Sequence, residues 1–243
     1  EKLDDEPDIA AMIDTLGFGR DDRRLLALAE SSYSVMRCQV DPETWIKDCL
    51  RAYELPDGTT AEQTPWGVYY LRERTRVLQS ADAMLRQAET LCCREPLLEE
   101  KCAPVLRKNR EVIRTLLEET TWDGCLRARI TSFGVMRPPK DSENAGQVKA
   151  LRKEAWESIK EFQRCFYAPS EQVVDDLRRT VPALRGLLTL LRTFDVRFTQ
   201  EKRRRHLLDF SDLEHCMIGL LTKKGSNRPT ETAKSLAQSY REI

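Results

Sequence analysis

Two aspartates, a serine, a glutamate and a histidine fall within seven residues at Asp209-Phe210-Ser211-Asp212-Leu213-Glu214-His215. A hydroxyl, an imidazole and carboxylates are the parts of a nucleophilic or general-base site. Their spacing predicts something plainer. Asp209 is placed to cap the free N–H groups of a first helical turn, and Asp212, three residues on, is placed to return the bond and to favour the helix dipole. Phe210, Leu213, Met217, Leu220 and Leu221 then recur at helical spacing, and the expectation is that Phe210 and Leu213 face a core. His206 and His215 are the only histidines, and no carboxylate constellation surrounds either in the sequence. The eight cysteines, at 38, 49, 92, 93, 102, 125, 165 and 216, are scattered without a C-x-x-C pair, so reduced thiols are expected and no metal site.

The elements that would carry these groups are helical. The charged content is 33% and the aromatic content 7%, which suits solvated helix faces better than an all-β fold. Helices are expected from Pro7 to Leu16, ended by Gly17, then from about Asp22 to Arg37, and from the Asp41-Pro42 cap through Tyr53. Pro56 to Thr64 reads as a turn and loop. The longest periodic run, Pro65 to about Glu95, predicts a strut or arm partnered by a helix from Leu97 to Thr120 that Pro104 interrupts. A short helix near Trp122 leads into a loop expected to be mobile, Phe133 to Gly146. Helices follow from Gln147 to Phe166, from Glu171 to Lys202 with a kink at Pro182, from Asp209 to Thr222, and from Thr230 onward. The fold class expected is all-α, a multi-helix bundle with long helices, with no strand series and no internal repeat.

Charge narrows the partners. Forty basic residues balance forty acidic ones, so a polyanion would have to be met by local patches and not by an overall field. The first 22 residues carry eight acids against two bases and would repel phosphate, whereas 121 to 160 carry eight bases against five acids and Arg192 to His206 six against two. No run of apolar residues approaches the roughly 20 needed to span a bilayer, and no signal peptide opens the chain. The chain starts without methionine and stops inside a periodic helix, which suggests an excised piece.

The string Lys202-Arg203-Arg204-Arg205-His206-Leu207-Leu208 running into Asp209 to His215 resembles the segment just before the Walker B strand in the AddA subunits of bacterial ATP-dependent helicase/nucleases, a UvrD-like superfamily 1 family. Further landmarks are similar and fall in the family's order: Gly19-Arg20-Asp21-Asp22, Asp41-Pro42-Glu43-Thr44-Trp45, Ser132-Phe133, Pro169-Ser170-Glu171, and Phe194-Asp195-Val196-Arg197-Phe198. The resemblance implies that residues 1–190 form a helical subdomain like the 1B insertion of such helicases, and that 191–243 are connecting helices returning to the ATPase core (1A). It implies a bacterial, cytoplasmic parent that uses ATP and Mg2+, pairs with an AddB-type subunit, and unwinds and processes DNA double-strand breaks for recombinational repair. This chain contains no G-x-x-x-x-G-K-[ST] phosphate loop, no D-E-x-Q pair and no nuclease carboxylate cluster, so it is expected to be non-catalytic and to hold no cofactor of its own.

Because 1B subdomains meet the duplex ahead of the fork, the resemblance marks Arg127, Arg129, Arg137, Lys140, Lys149, Arg152 and Lys153 as candidate phosphate contacts. The alternative for these is a solvated face balanced by nearby glutamates. Lys202, Arg203, Arg204 and Arg205 are candidates for contact with DNA or with a partner chain, or else cations suited to the C-terminal end of the preceding helix. Trp66, Trp122 and Trp156 could stack on bases, but a tryptophan at helical spacing is more often core. Two functions remain open on the sequence: a DNA-facing part of the motor, or a helical protein-interaction scaffold without DNA binding.

Overall fold

The computed structural model describes residues 7–16, 22–223, 226 and 228–240. Gly17 and Gly19 to Asp21, most of the N-terminal acids, part of the Lys223 to Pro229 loop and the last three residues lie outside the described residues. Ten α-helices follow one another: α1 Pro7–Leu16, α2 Asp22–Arg37, α3 Pro42–Arg51, α4 Pro65–Cys92, α5 Pro96–Glu118, α6 Trp122–Arg127, α7 Ala145–Gln163, α8 Ser170–Arg204, α9 Phe210–Leu221 and α10 Glu231–Ser239. A 3-10 turn at Ala61–Gln63 sits in the loop expected before α4. Among the described residues there is no strand, only an isolated bridge between Thr222 and Pro229. The all-α reading therefore holds.

Local chemistry sets many of the helix starts. Asp41 accepts from the Thr44 N–H at 3.1 Å ahead of Pro42, Thr64 accepts from Gly67 at 3.0 Å ahead of Pro65, and Thr121 accepts from Gly124 at 3.1 Å. α5 and α8 differ from the expectation in one respect. Each continues through its internal proline, Pro104 or Pro182. In α5 the neighbours Cys102, Ala103 and Leu106 are fully buried, and their packing outweighs the roughly 3 kcal/mol that a lost backbone bond and a ring clash cost.

The chain separates into two compact units. One comprises Glu1–Glu54 with Arg178–Ile243, the other Leu55–Leu177, so the divisions fall at 54/55 and 177/178 and not at 190/191. The reason is that Leu187, Leu188 and Leu191 of α8 share a core with Ile9 and Met12 of α1, Met36 of α2 and Ile46 of α3. Gly186 permits that approach, since a Cβ there would run into the Asp8 carbonyl. In the second unit, α4 packs along both α5 and α7, and Leu78, Leu85, Leu98, Leu106, Ile113, Val148 and Ile159 form its main core. A smaller aromatic core of Trp122, Phe166 and Val174 with Phe162 and Tyr70 completes that unit. No helix among the described residues is long and apolar enough to cross a membrane.

Candidate nucleic-acid interface

Seven candidate cations lie between 127 and 153 in the second unit, and they separate into two kinds. Arg127, Arg129, Arg137, Lys140, Lys149 and Lys153 are exposed, and no carboxylate among the described residues lies within ion-pair distance of any of them. Arg129 makes one long bond, from Nη1 to the Phe166 carbonyl at 3.5 Å. On α7, Lys149 and Lys153 project within about 40° of each other around the helix axis.

Arg152 is different. Its Nε donates to Asn109 Oδ1 at 2.9 Å, and its Nη2 donates to the carbonyls of Phe133 at 2.8 Å and Gly134 at 2.9 Å. Asn109 Nδ2 donates to the same Phe133 carbonyl at 3.0 Å. The Phe133 ring is buried, 5.5 Å from Trp156 centroid to centroid, with the Arg152 guanidinium 5.7 Å from its own centroid. Gly134 turns the chain with φ of +77°, a conformation that favours glycine. One step upstream, Gln163 holds Ile130 on both sides, accepting from its N–H at 2.9 Å and donating to its carbonyl at 3.1 Å. At the far end Glu95 accepts from the Asn144 backbone at 3.0 Å and side chain at 2.6 Å. The Phe133 to Gly146 stretch is irregular, as its prolines and glycines dictate, but it is rooted at both ends and not a freely mobile loop. Asn109 was legible as an oddity, a polar residue three along from Leu106 in the apolar stripe of α5; nothing local marked Gln163.

In the first unit the basic run is largely committed within the chain. Lys202 is only 8% exposed at its side chain and lies 2.8 Å from Asp209 Oδ2 and 2.6 Å from Asp212 Oδ2, with its ammonium 4.6 Å from the Phe198 ring centroid. Burial works against its charge, but bonds from the two aspartates outweigh it and hold the ammonium above its usual range. Arg204 and Arg205 both bind Glu201, at 2.7 and 2.6 Å, and hold that carboxyl down at about 2. Arg203 is exposed and has no ion pair among the described residues.

The 209 to 215 string forms the helix start that its spacing predicts. Asp209 accepts from the Asp212 N–H at 2.9 Å and Asp212 Oδ2 accepts from the Asp209 N–H at 3.1 Å. The missed partner is Arg37, at the end of α2. Its Nη2 lies 3.0 Å from Asp212, its Nε donates to Ser211 Oγ at 3.1 Å, and its carbonyl is 2.9 Å from His215 Nε2. Asp195 lies 3.6 Å from Arg37 Nη1 and accepts from the Tyr33 hydroxyl at 2.9 Å. Glu214 is exposed. The acids, serine and histidine thus hold a helix in place, and no aligned nucleophile and base exist among them.

The expectation that Phe210 and Leu213 face a core is overturned. Phe210 is 86% exposed and Leu213 48%, with Met217 at 49% and Leu220 at 59%, and none of α9 is buried. The helix turns Ser211, Asp212 and His215 inward, so its apolar stripe points out. Of the tryptophans, Trp122 is buried with its indole donating to the Ala168 carbonyl at 2.9 Å, Trp156 lies against Phe133, and Trp66 is partly buried. Among the described residues no group of three or more His, Cys, Asp or Glu side chains is placed to hold a metal. The Cys92 thiol, pushed up to about 12 by burial and by nearby Cys102, is a poor nucleophile.

No family model matches the chain. Curated relatives do, along nearly all of it. The AddA subunit of the ATP-dependent helicase/nuclease of Pelotomaculum thermopropionicum is 28% identical over 246 residues, 96% of this chain and 19% of the relative. The proteins of the same description from Moorella thermoacetica and Listeria monocytogenes serotype 4b are 28% and 25% identical, over 98% and 96% of this chain and 18% and 19% of their own length. The chain spans about a fifth of the curated relatives it matches. It is similar, from end to end, to one segment of the AddA helicase/nuclease polypeptide, as its motifs indicated.

Proposed function

We propose, from the premise that this chain is an AddA-like segment, that it is a non-catalytic helical part of an ATP-dependent DNA helicase/nuclease and that its Leu55–Leu177 unit meets duplex DNA. The observation that carries this reading is the set of six exposed cations between Arg127 and Lys153 with no carboxylate counter-charge among the described residues. Unpaired Lys and Arg can release counterions from a phosphate backbone without reading sequence, whereas cations already paired gain little. The use of ATP and Mg2+, a cytoplasmic location, the processing of double-strand breaks and pairing with an AddB-type subunit belong to the same proposal for the longer protein. Fluorescence anisotropy with a labelled blunt duplex tests the DNA contact. Binding at low salt should weaken with a log–log salt slope of about −3 to −5, for four to six phosphates met. Absence of binding, or binding indifferent to salt, sinks the reading.

A second reading rests on α9 and α10. The outward stripe of Phe210, Leu213, Met217 and Leu220, with Leu207, Leu208, Leu236 and Tyr240 also exposed, is a larger apolar surface than an isolated domain ordinarily leaves in water. It supports the proposal that residues 191–243 seat the chain against the remainder of the motor polypeptide. Co-purification of the 243-residue chain with that remainder should be lost in a Phe210→Ser, Met217→Ser variant. Undiminished co-purification would remove the surface from consideration.

A further inference from the structure

We infer that Arg152 is a positioning residue of the DNA-facing surface and not one of its phosphate contacts: with Asn109 it roots the Phe133 to Gly146 segment, fixing Arg137 and Lys140 against Lys149 and Lys153 of α7. The inference rests on the reading of this unit as duplex-binding and assigns the residues within it. Three of the five guanidinium N–H groups point into the protein, at Asn109 Oδ1, Phe133 O and Gly134 O, all between 2.8 and 2.9 Å. Both carbonyls belong to the loop, and Asn109 binds one of them as well, so the two side chains form a single clamp around the Phe133-Gly134 turn. The Phe133 ring, inserted beside Trp156 beneath the guanidinium, closes the root from the apolar side.

Geometry then limits what lies beyond the clamp. Arg137 is three residues from Gly134, so its Cα lies within about 11 Å of the pinned turn, and the Pro138-Pro139 pair stiffens the chain before Lys140. Lys149 and Lys153 flank Arg152 on the same helix, on the exposed side. A surface whose cations are already held at fixed separation loses less conformational freedom on meeting a rigid phosphate lattice than four cations on a loose loop. Arg152 therefore acts on affinity through geometry, while its neighbours act through charge.

Salt dependence separates those two roles in the full 243-residue chain. Lys149→Gln and Lys153→Gln, at exposed positions, should each flatten the log–log salt slope by about 0.9, one phosphate contact. Arg152→Gln and the uncharged Asn109→Ala should weaken duplex binding roughly tenfold at fixed salt through loss of preorganisation and leave the slope at its wild-type value. Arg152→Lys, which keeps the charge and loses the three-way clamp, should be as weak as Arg152→Gln. A slope flattened by Arg152→Gln and restored by Arg152→Lys would overturn the assignment while leaving the DNA reading intact. No binding by the wild-type chain would overturn both. Unchanged slopes for Lys149→Gln and Lys153→Gln would overturn the surface even if the clamp variants failed to fold.

Discussion

Arg74 shows what a buried cation does in this protein when it has no acid to meet. It is 8% exposed on α4 and donates to the Leu116 carbonyl at 2.6 Å and the Glu119 carbonyl at 3.2 Å, the acceptors left over at the C-terminal end of α5. Burial pulls its guanidinium below the usual range, and only Cys125 and Glu119 push the other way, so the charge is held by helix-end carbonyls and dipole. Arg74→Met keeps the stem but orphans both carbonyls. It should destabilise the Leu55–Leu177 unit by about 3 kcal/mol, read from the midpoint of urea unfolding. A loss below about 0.5 kcal/mol, the range of ordinary surface changes, would mean water satisfies those carbonyls just as well. Arg152 and Lys202 extend the lesson. Each was a candidate for a phosphate because its type and neighbours suit one, and each is engaged with groups 7 to 43 residues away in sequence. Residue type and local charge identify a cation; only its long-range partners decide whether it is free to bind anything.

At the scale of the element, α9 is an amphipathic helix mounted with its polar edge inward. Its attachment is ionic: Asp212 lies between Arg37 and Lys202, and Ser211 and His215 bond to Arg37. The corner before it is held by His206 at φ of +58° and by the Leu207 N–H donating to the Lys202 carbonyl at 2.9 Å, which closes the end of α8. Since no apolar side chain of α9 is buried, Asp212→Asn should speed amide exchange across 207–221 several-fold, with Leu55–Leu177 unaffected. Exchange at the wild-type rate would show that the helix is held by something other than this cluster. The sign of its pH dependence follows from the same contacts. The bond from Lys202 holds the Asp209 carboxyl below its ordinary value, so its contribution is complete above about pH 4 and is lost as pH falls through the depressed value. The raised ammonium of Lys202 contributes fully below about pH 10 and is lost as pH rises through its elevated value. Protection of α9 should therefore be flat between those limits and decline beyond both.

Across the whole molecule, the sequence by itself determined the helices and the resemblance. Their starts are written in residues a few positions apart, such as Asp41 with Pro42 and Thr44, or Asp209 with Asp212, and local hydrogen bonds need nothing from the rest of the chain. Apolar periodicity likewise gave the buried stripe of α4, because a helix with one apolar side normally hides it. The tertiary structure decided what periodicity cannot encode, namely which side of an element faces protein. α9 has the spacing of a core helix and faces outward, because Arg37, distant in sequence, binds its polar edge. Phe133 to Gly146 has the composition of a loose loop and is rooted, because Asn109, Arg152 and Gln163 meet its carbonyls across the fold. α8 reads as one amphipathic helix and divides its length between two cores, since its stripe is satisfied by whichever partners the fold brings to each part. Local bonding and burial period are short-range quantities and survive in the sequence. Orientation and the commitment of a charge are settled by partners tens of residues away, and those the chain acquires only when it folds.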